Sequence, residues 1–318
     1  MRKLYLSVIL TGIVLLFNGC GGIDVDDDDN VETNPTIDWT ANNITIKTAA
    51  ELKEFSRRVN SDNGQERRSG FQNVVVTLAN DIELNGGQDN QWSPIGQMQK
   101  NFYGTFDGNG KVIRGIYIVN TQSGVYGQGL FGHTNGATIK NLGVDVNITG
   151  NQWVGGLVGS MSNNSKIENC YATGNVSGSA RVGGLAGSSA NSNINKCYAD
   201  AGVNGSSAGG LLGYNSSNNS TSGRITNCYA VGNVSGNTSG GLVGTKSGSD
   251  SWTVTNCYAL TGGTNNFAAN RTFANSGFKT QEELKQKDTY VWDFDEIWEI
   301  SAEINNGYPY LQGVGIDK

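Results

Sequence analysis

Four tyrosines, Tyr171, Tyr198, Tyr229 and Tyr258, each stand directly after a cysteine: Cys170, Cys197, Cys228 and Cys257. The tyrosine spacings are 27, 31 and 29 residues. Cysteines repeated in this way admit three chemistries: an apolar thiol column, disulfides between neighbouring copies, or a metal site. Leu142 fills the same place in an earlier copy of the phrase, which favours the apolar column. A straight ladder cannot offer the tetrahedron that four thiolates give zinc, so no metal is expected. In-register side chains point the same way and strain a disulfide dihedral, which leaves bridging as the lesser alternative. The tyrosines are the candidate ligand-binding residues. An exposed aromatic column lies well against sugar faces, each ring adding apolar area and a hydroxyl. The alternative is that the rings only pack on one another and stiffen the chain. Trp153 and Trp252 are further aromatics that could join such a surface.

Other chemistry-bearing residues are sparse. The single histidine, His133, lies in Gly-His-Thr-Asn-Gly and reads as a turn residue. One histidine supports no nucleophile–base–acid set. Asp81 and Glu83 are two apart on a strand, too close to straddle a glycosidic bond, and read as a solvated strand face. Asp107-Gly-Asn109 has the flavour of a calcium loop but lacks its remaining ligands, so it reads as a turn. Between 151 and 270 the charged residues are Lys166, Glu168, Arg181, Lys196, Asp200, Arg224, Lys246 and Asp250, scattered without a constellation. No catalytic residue and no cofactor is expected from this pattern.

The elements that position these residues are repeats. Gly-Leu-x-Gly recurs at 129–132, 156–159, 184–187, 210–213 and 241–244. Ile167-Glu-Asn-Cys-Tyr-Ala172 has copies beginning at Ile194, Ile225 and Val254, and an earlier form at Ile139. Gly-Asn-Val-Ser-Gly occurs at 174–178 and 232–236. Each period of about 27 residues thus holds three short β-prone pieces, which fits one coil of a parallel β-helix. Ile167 and Cys170 are three apart, so both can face inward only if the chain turns a corner at Asn169. Asn tolerates the left-handed geometry such a corner needs; Lys196 is the exception among five copies. The tyrosines after the corner should then form an outward column. The insertion Asn215–Ser222 should be a surface loop on one coil.

The flanks differ from the repeats. Residues 34–124 form an N-terminal cap with the first β coils: Thr48-Ala-Ala-Glu51 is a capping box opening a helix with Leu52, Phe55 and Val59 on one face. Val74 to Leu84 alternates as one or two strands, and Phe106–Gly110 reads as a tight turn. Residues 125–268 are the repeat solenoid. Residues 269–318 form a C-terminal cap with a second capping box, Thr280-Gln-Glu-Glu283, and the aromatics Trp292, Phe294, Trp298, Tyr308 and Tyr310. Caps at both ends would stop end-to-end growth of an open solenoid.

Composition narrows the class. Of 318 residues, 46 are glycine and three proline, which excludes collagen. Charged residues are 16%, too few for a solvated disordered chain or for amphipathic helical bundles. The net charge of −6 excludes a nucleic-acid surface. Residues 1–19 read as a signal peptide: Arg2-Lys3, then an apolar stretch from Leu4 to Phe17, short for a membrane span. Its end resembles a bacterial lipobox, which makes Cys20 the lipidated first residue; ordinary secretory cleavage is the alternative. Residues 20–33 hold five carboxylates in six positions and read as an extended tether. This stretch also resembles the acidic export signal of some Gram-negative surface lipoproteins; calcium binding is the other reading.

The repeats, together with Trp92-Ser-Pro-Ile-Gly96, Phe102–Gly110, Trp292-Asp-Phe-Asp and Gly307-Tyr-Pro-Tyr-Leu311, resemble the GLUG-motif family over most of residues 40–312. The resemblance implies an all-β parallel β-solenoid of a bacterial cell surface, often adhesin-like. Similar repeats also accompany secreted IgA-type metallopeptidases, but those need His-Glu-x-x-His, and one histidine cannot supply it. The expectation is a lipoprotein of the outer membrane, anchored through Cys20 and facing the cell exterior. It would bind a glycan or a surface protein, without enzymatic activity and without nucleic acid. A non-binding spacer or fimbrial-type scaffold is the alternative, and a β-helix polysaccharide lyase or hydrolase a further one.

Overall fold

The computed structural model describes residues 37–61, 69–217, 223–248, 252–261, 267–268, 273 and 275–315. Cys20, the leader and the acidic tether lie outside the described residues. The chain winds as an all-β parallel solenoid of about seven coils. Each repeat coil contributes three strands to three sheets, as the sequence predicts. In the first sheet, strands Thr105–Asn120, Thr138–Gly150, Lys166–Ser177 and Tyr198–Asn204 lie side by side, and the row continues through Tyr229–Ala230 and Tyr258–Leu260. The second sheet stacks Tyr126–Gln128, Gln152–Gly155, Ala180–Gly183, Ser207–Gly209 and Thr238–Gly240. The third stacks Phe131–Asn135, Val158–Ser162, Ala186–Ala190, Leu212–Ser217 and Val243–Gly248.

Register is set by identical residues. Ile139 pairs with Ile167, Ile167 with Ile194, and Ile194 with Ile225, all buried. A one-residue slip would turn this apolar row outward, so the pairing is strongly specified. The corners are where Asn predicted them. Asn141, Asn169, Asn227 and Asn256 have φ of 52–55°, and Lys196 adopts φ 54° in the same column. Asn109 (φ 52°) heads this column, so Phe106–Gly110 is no turn between strands. It is a corner inside the continuous strand Thr105–Asn120, where the register shifts between Asp107 and Lys111.

Helix α1, Ala49–Ser61, closes the first coils. The Glu51 amide donates to Thr48 Oγ1 at 3.2 Å, and the Thr48 amide to Glu51 Oε2 at 3.1 Å, completing the capping box. Leu52, Phe55 and Val59 are buried, with Phe55 5.0 Å from Phe71 and 5.9 Å from Phe102 between ring centroids. The second capping box is also formed, at the start of α2, Gln281–Leu284.

The C-terminal segment is not an end cap. After its last solenoid strand, Gly277–Lys279, the chain runs back along the side of the coils, and the Gly315 amide donates to the Gly110 carbonyl at 2.8 Å. It is a lateral strap. The reason is the tyrosine column, an apolar stripe across four neighbouring strands of the first sheet that an aromatic segment can bury. The expected loop 215–222 is also revised. Asn215 is buried and its strand continues to Ser217, while 218–222 lie outside the described residues.

Candidate functional site

The cysteine column is an interior one. Cys170, Cys197, Cys228 and Cys257 are free thiols with no exposed surface. Each Sγ donates to the carbonyl two residues earlier, at 3.0–3.2 Å. Burial pushes the Cys170 and Cys228 thiols well above their ordinary range, which suits packing groups rather than nucleophiles.

The tyrosine column forms in the predicted register, and the rings stack. Tyr171 and Tyr198 are 4.9 Å apart at 9°, and Tyr198 and Tyr229 5.1 Å apart at 7°. It is not an accessible ligand surface. Tyr198, Tyr229 and Tyr258 are 4%, 0% and 5% exposed, and Tyr171 is half-buried. The strap covers them: Trp292 and Trp298 each lie 6.0 Å from the Tyr229 ring, and Tyr290 lies 5.2 Å from Tyr258. The Tyr229 hydroxyl donates to the Pro309 carbonyl and accepts from Asn305 Nδ2. The assignment of Tyr171, Tyr198, Tyr229 and Tyr258 as an open binding column is therefore corrected. The rings do leave the solenoid outward, but this chain's own C-terminal aromatics pack over them. Burial pushes the Tyr171 phenol up to about 12 and holds Tyr198 and Tyr229 well above their ordinary value.

A different face presents half-buried aromatics. Tyr126 and Trp153, on successive strands of the second sheet, have centroids 5.0 Å apart. The Arg181 guanidinium carbon, one coil on, lies 5.8 Å from the Trp153 ring and 4.2 Å from that of Tyr214. The Tyr214 hydroxyl hydrogen-bonds Ser247. The four side chains make a lateral strip crossing three coil spacings, about 14 Å at ~4.8 Å each. Two of them stand in unusual backbone: Trp153 has φ 59° and Arg181 φ 58°. Bulky residues in that region cost of order 1–3 kcal/mol, and such outliers gather at functional sites. Tyr126 also lines an open groove of about 570 Å³ together with Trp92, Met98, Val119 and Gln128. Met98 and Val119 are among the few exposed large apolar residues described.

His133 borders the strip, and its reading as a turn residue is also corrected. It lies within the strand Phe131–Asn135, 7% exposed, with Nε2 3.0 Å from the Tyr126 carbonyl and its ring 5.8 Å from that of Trp153. Burial holds its pKa below the ordinary value, although the Tyr126 carbonyl opposes this. Trp252 is not on the strip; it is buried against Phe273. Asp81 forms an ion pair with Arg114 at 2.8 Å. Asp107 accepts from the Asn109 amide and Asn141 Nδ2 and pairs with Lys140, so its carboxylate serves the corner.

Against known families, the model described as the GLUG motif matches residues 150–177 and 204–235. These two stretches are GLUG-motif repeats. Among curated proteins no sequence matches it. A crystal structure of a protein described as a "putative immunoglobulin A1 protease" from Bacteroides ovatus superposes with a TM-score of 0.57. Identity is 22%, covering 85% of this chain and 92% of that one, a likeness of fold.

The solenoid explains the GLUG motif. Its leucine is core: Leu130, Leu157, Leu185, Leu211 and Leu242 have no exposed surface. Its final glycine lies against the backbone of the second sheet. A Cβ on Gly159 would come within 2.5 Å of the Gly127 backbone, and one on Gly213 within 2.5 Å of Arg181. Gly187 meets Trp153 in the same way. The motif therefore presses two sheets together without side chains between them. The same contact fixes the backbone that carries Trp153 and Arg181. Sequence reading singled out Trp153 but missed Arg181, Tyr126 and Tyr214. Their columns hold unlike residues from coil to coil: Tyr126 aligns with Gln152 and Ala180, Arg181 with Trp153 and Ser207, and Tyr214 with Ser188 and Thr245, so no periodic signal marks them.

Proposed function

We propose that this chain is a lipid-anchored bacterial cell-surface protein acting in adhesion, binding a glycan or a surface protein along one side of its β-solenoid. The carrying observation is the open lateral face: the groove of about 570 Å³ running into the strip of Tyr126, Trp153, Arg181 and Tyr214. Half-buried aromatics beside a concave surface are the composition of recognition sites. The basic-apolar leader and the acidic tether after Cys20 support export and anchoring at the outer membrane, facing the exterior. A lateral face of stacked coils gives an extended recognition surface, and the role needs no catalytic group of its own.

Two experiments test this. Cells fed a labelled fatty acid should incorporate it into the protein, and Cys20→Ala should abolish the label. Protease added to intact cells should remove the protein; full protection from it would place the protein inside the envelope and contradict the proposal.

A further inference from the structure

We infer that Arg181 is an anion-recognition position, and that the strip around it takes an acidic polysaccharide, with a sugar carboxylate meeting the guanidinium edge. This deepens the adhesion reading and rests on it. Arg181 lies between Trp153, contributed by the preceding coil, and Tyr214, contributed by the following one. The Tyr214 ring, 4.2 Å from the guanidinium carbon, and the Trp153 ring, 5.8 Å from it, flank the group, and its N–H donors are the part suited to a ligand oxygen. The planar fork of those donors matches a carboxylate in bidentate fashion, and the flanking rings hold it in place before the ligand arrives.

Three observations single out this arginine. No carboxylate pairs with Arg181 among the described residues, whereas Arg114 and Lys140, on the first sheet, have carboxylate partners. Its backbone is held at φ 58°, a conformation arginine rarely adopts, by the glycine packing of the next coil. The Trp153 indole Nε1 beside it is buried without a hydrogen-bond partner among the described residues, a polar atom left over at the same place. Charge agrees as well. Although the whole chain is acidic, residues 151–270 carry five basic and three acidic side chains. Of those acids, Asp200 belongs to the opposite, strap-covered face, where it lies beside Tyr198, Tyr229 and Tyr308. A linear chain with carboxylates along it can lay its apolar ring faces in the groove beside Tyr126 and place one carboxylate at Arg181.

The test is retention of the full chain on immobilised polygalacturonate, alginate and hyaluronan, against neutral dextran, galactan and mannan and a set of matrix proteins. The unmodified chain should prefer the acidic glycans, and added salt should weaken binding. Arg181→Gln should weaken it at least tenfold, while Arg181→Lys, which keeps the charge but loses the fork, should fall between. Arg181→Gly is the folding control, because Gly127 occupies this column in an earlier coil at φ 80° without strain; it should melt no lower than wild type and bind as weakly as Arg181→Gln. Equal retention on neutral and acidic glycans overturns the inference without recourse to any variant. So does binding unchanged by Arg181→Gln. In both cases adhesion itself stands. No retention on any surface overturns both readings.

Discussion

At the scale of single residues, the corner column contains its own defect. Asn169 Nδ2 donates to Asn141 Oδ1 at 3.2 Å, and Asn256 Nδ2 to Asn227 Oδ1 at 3.1 Å. Between them stands Lys196, and Asn169 Oδ1 is left buried without a partner among the described residues. Lys196→Asn should restore the missing donor and relieve a left-handed lysine. The expected gain is about 1 kcal/mol from the hydrogen bond, a rise in melting temperature of about 2–4 °C. A melting scan checks it, and a lower midpoint would show that the ladder contributes nothing. Protonation is also readable at this scale. His133 has a folded pKa below its unfolded one, so the unfolded chain takes up the proton first as pH falls below about 6.5. Stability should fall through that window, and His133→Gln should remove this part of the slope. Asp81 and Asp107 carry pKa values held low despite partial burial, Asp81 by hydrogen bonds from Arg114 and the Val112 amide, Asp107 by those from the Asn109 amide, Asn141 and Lys140. Their contribution is present above about pH 4 and is lost as pH falls through their folded values. A urea series from pH 7 to 3 should therefore show two losses, the first absent in His133→Gln.

At the scale of elements, glycine placement is the testable part. Gly187→Ala would put a Cβ into the Trp153 backbone and should cost about 1–3 kcal/mol. Gly87→Ala, where nothing lies within 4 Å of the added carbon, should be close to neutral. Removing a motif leucine, as in Leu157→Ala, should cost about 2–5 kcal/mol. Much of this layer was legible in the sequence. Identical residues stacked in register announce their own pairing, so coil period, three strands per coil, inward cysteines and Asn corners follow from spacing alone. Two things were not legible. Whether an outward column meets water or another part of the chain depends on where the C-terminal segment travels, which no local period encodes. The lateral strip draws one residue from each of several coils, each an exception to its column, and only the folded register brings them together.

At the scale of the whole molecule, the strap decides which side of the rod can bind. Its aromatics cover Tyr258, Tyr229 and Tyr198, and its end passes Tyr171 where Gly315 meets Gly110. Trp298→Ala should cost about 3–5 kcal/mol and expose the column, seen as phenol ionisation at lower pH than in the intact chain. The strip, on the second and third sheets, and the groove beside Tyr126 hold none of the strap's residues and should be untouched by that change. The most direct measurement is retention on the immobilised glycan and matrix-protein panel, comparing wild type with Trp153→Gly and Tyr171→Ser. The first variant removes an aromatic from the open strip at a position that tolerates glycine; the second removes one from the covered column. The expected result is that Trp153→Gly loses retention while folded and that Tyr171→Ser keeps it. Retention lost in Tyr171→Ser and kept in Trp153→Gly would contradict it, returning the binding face to the tyrosines.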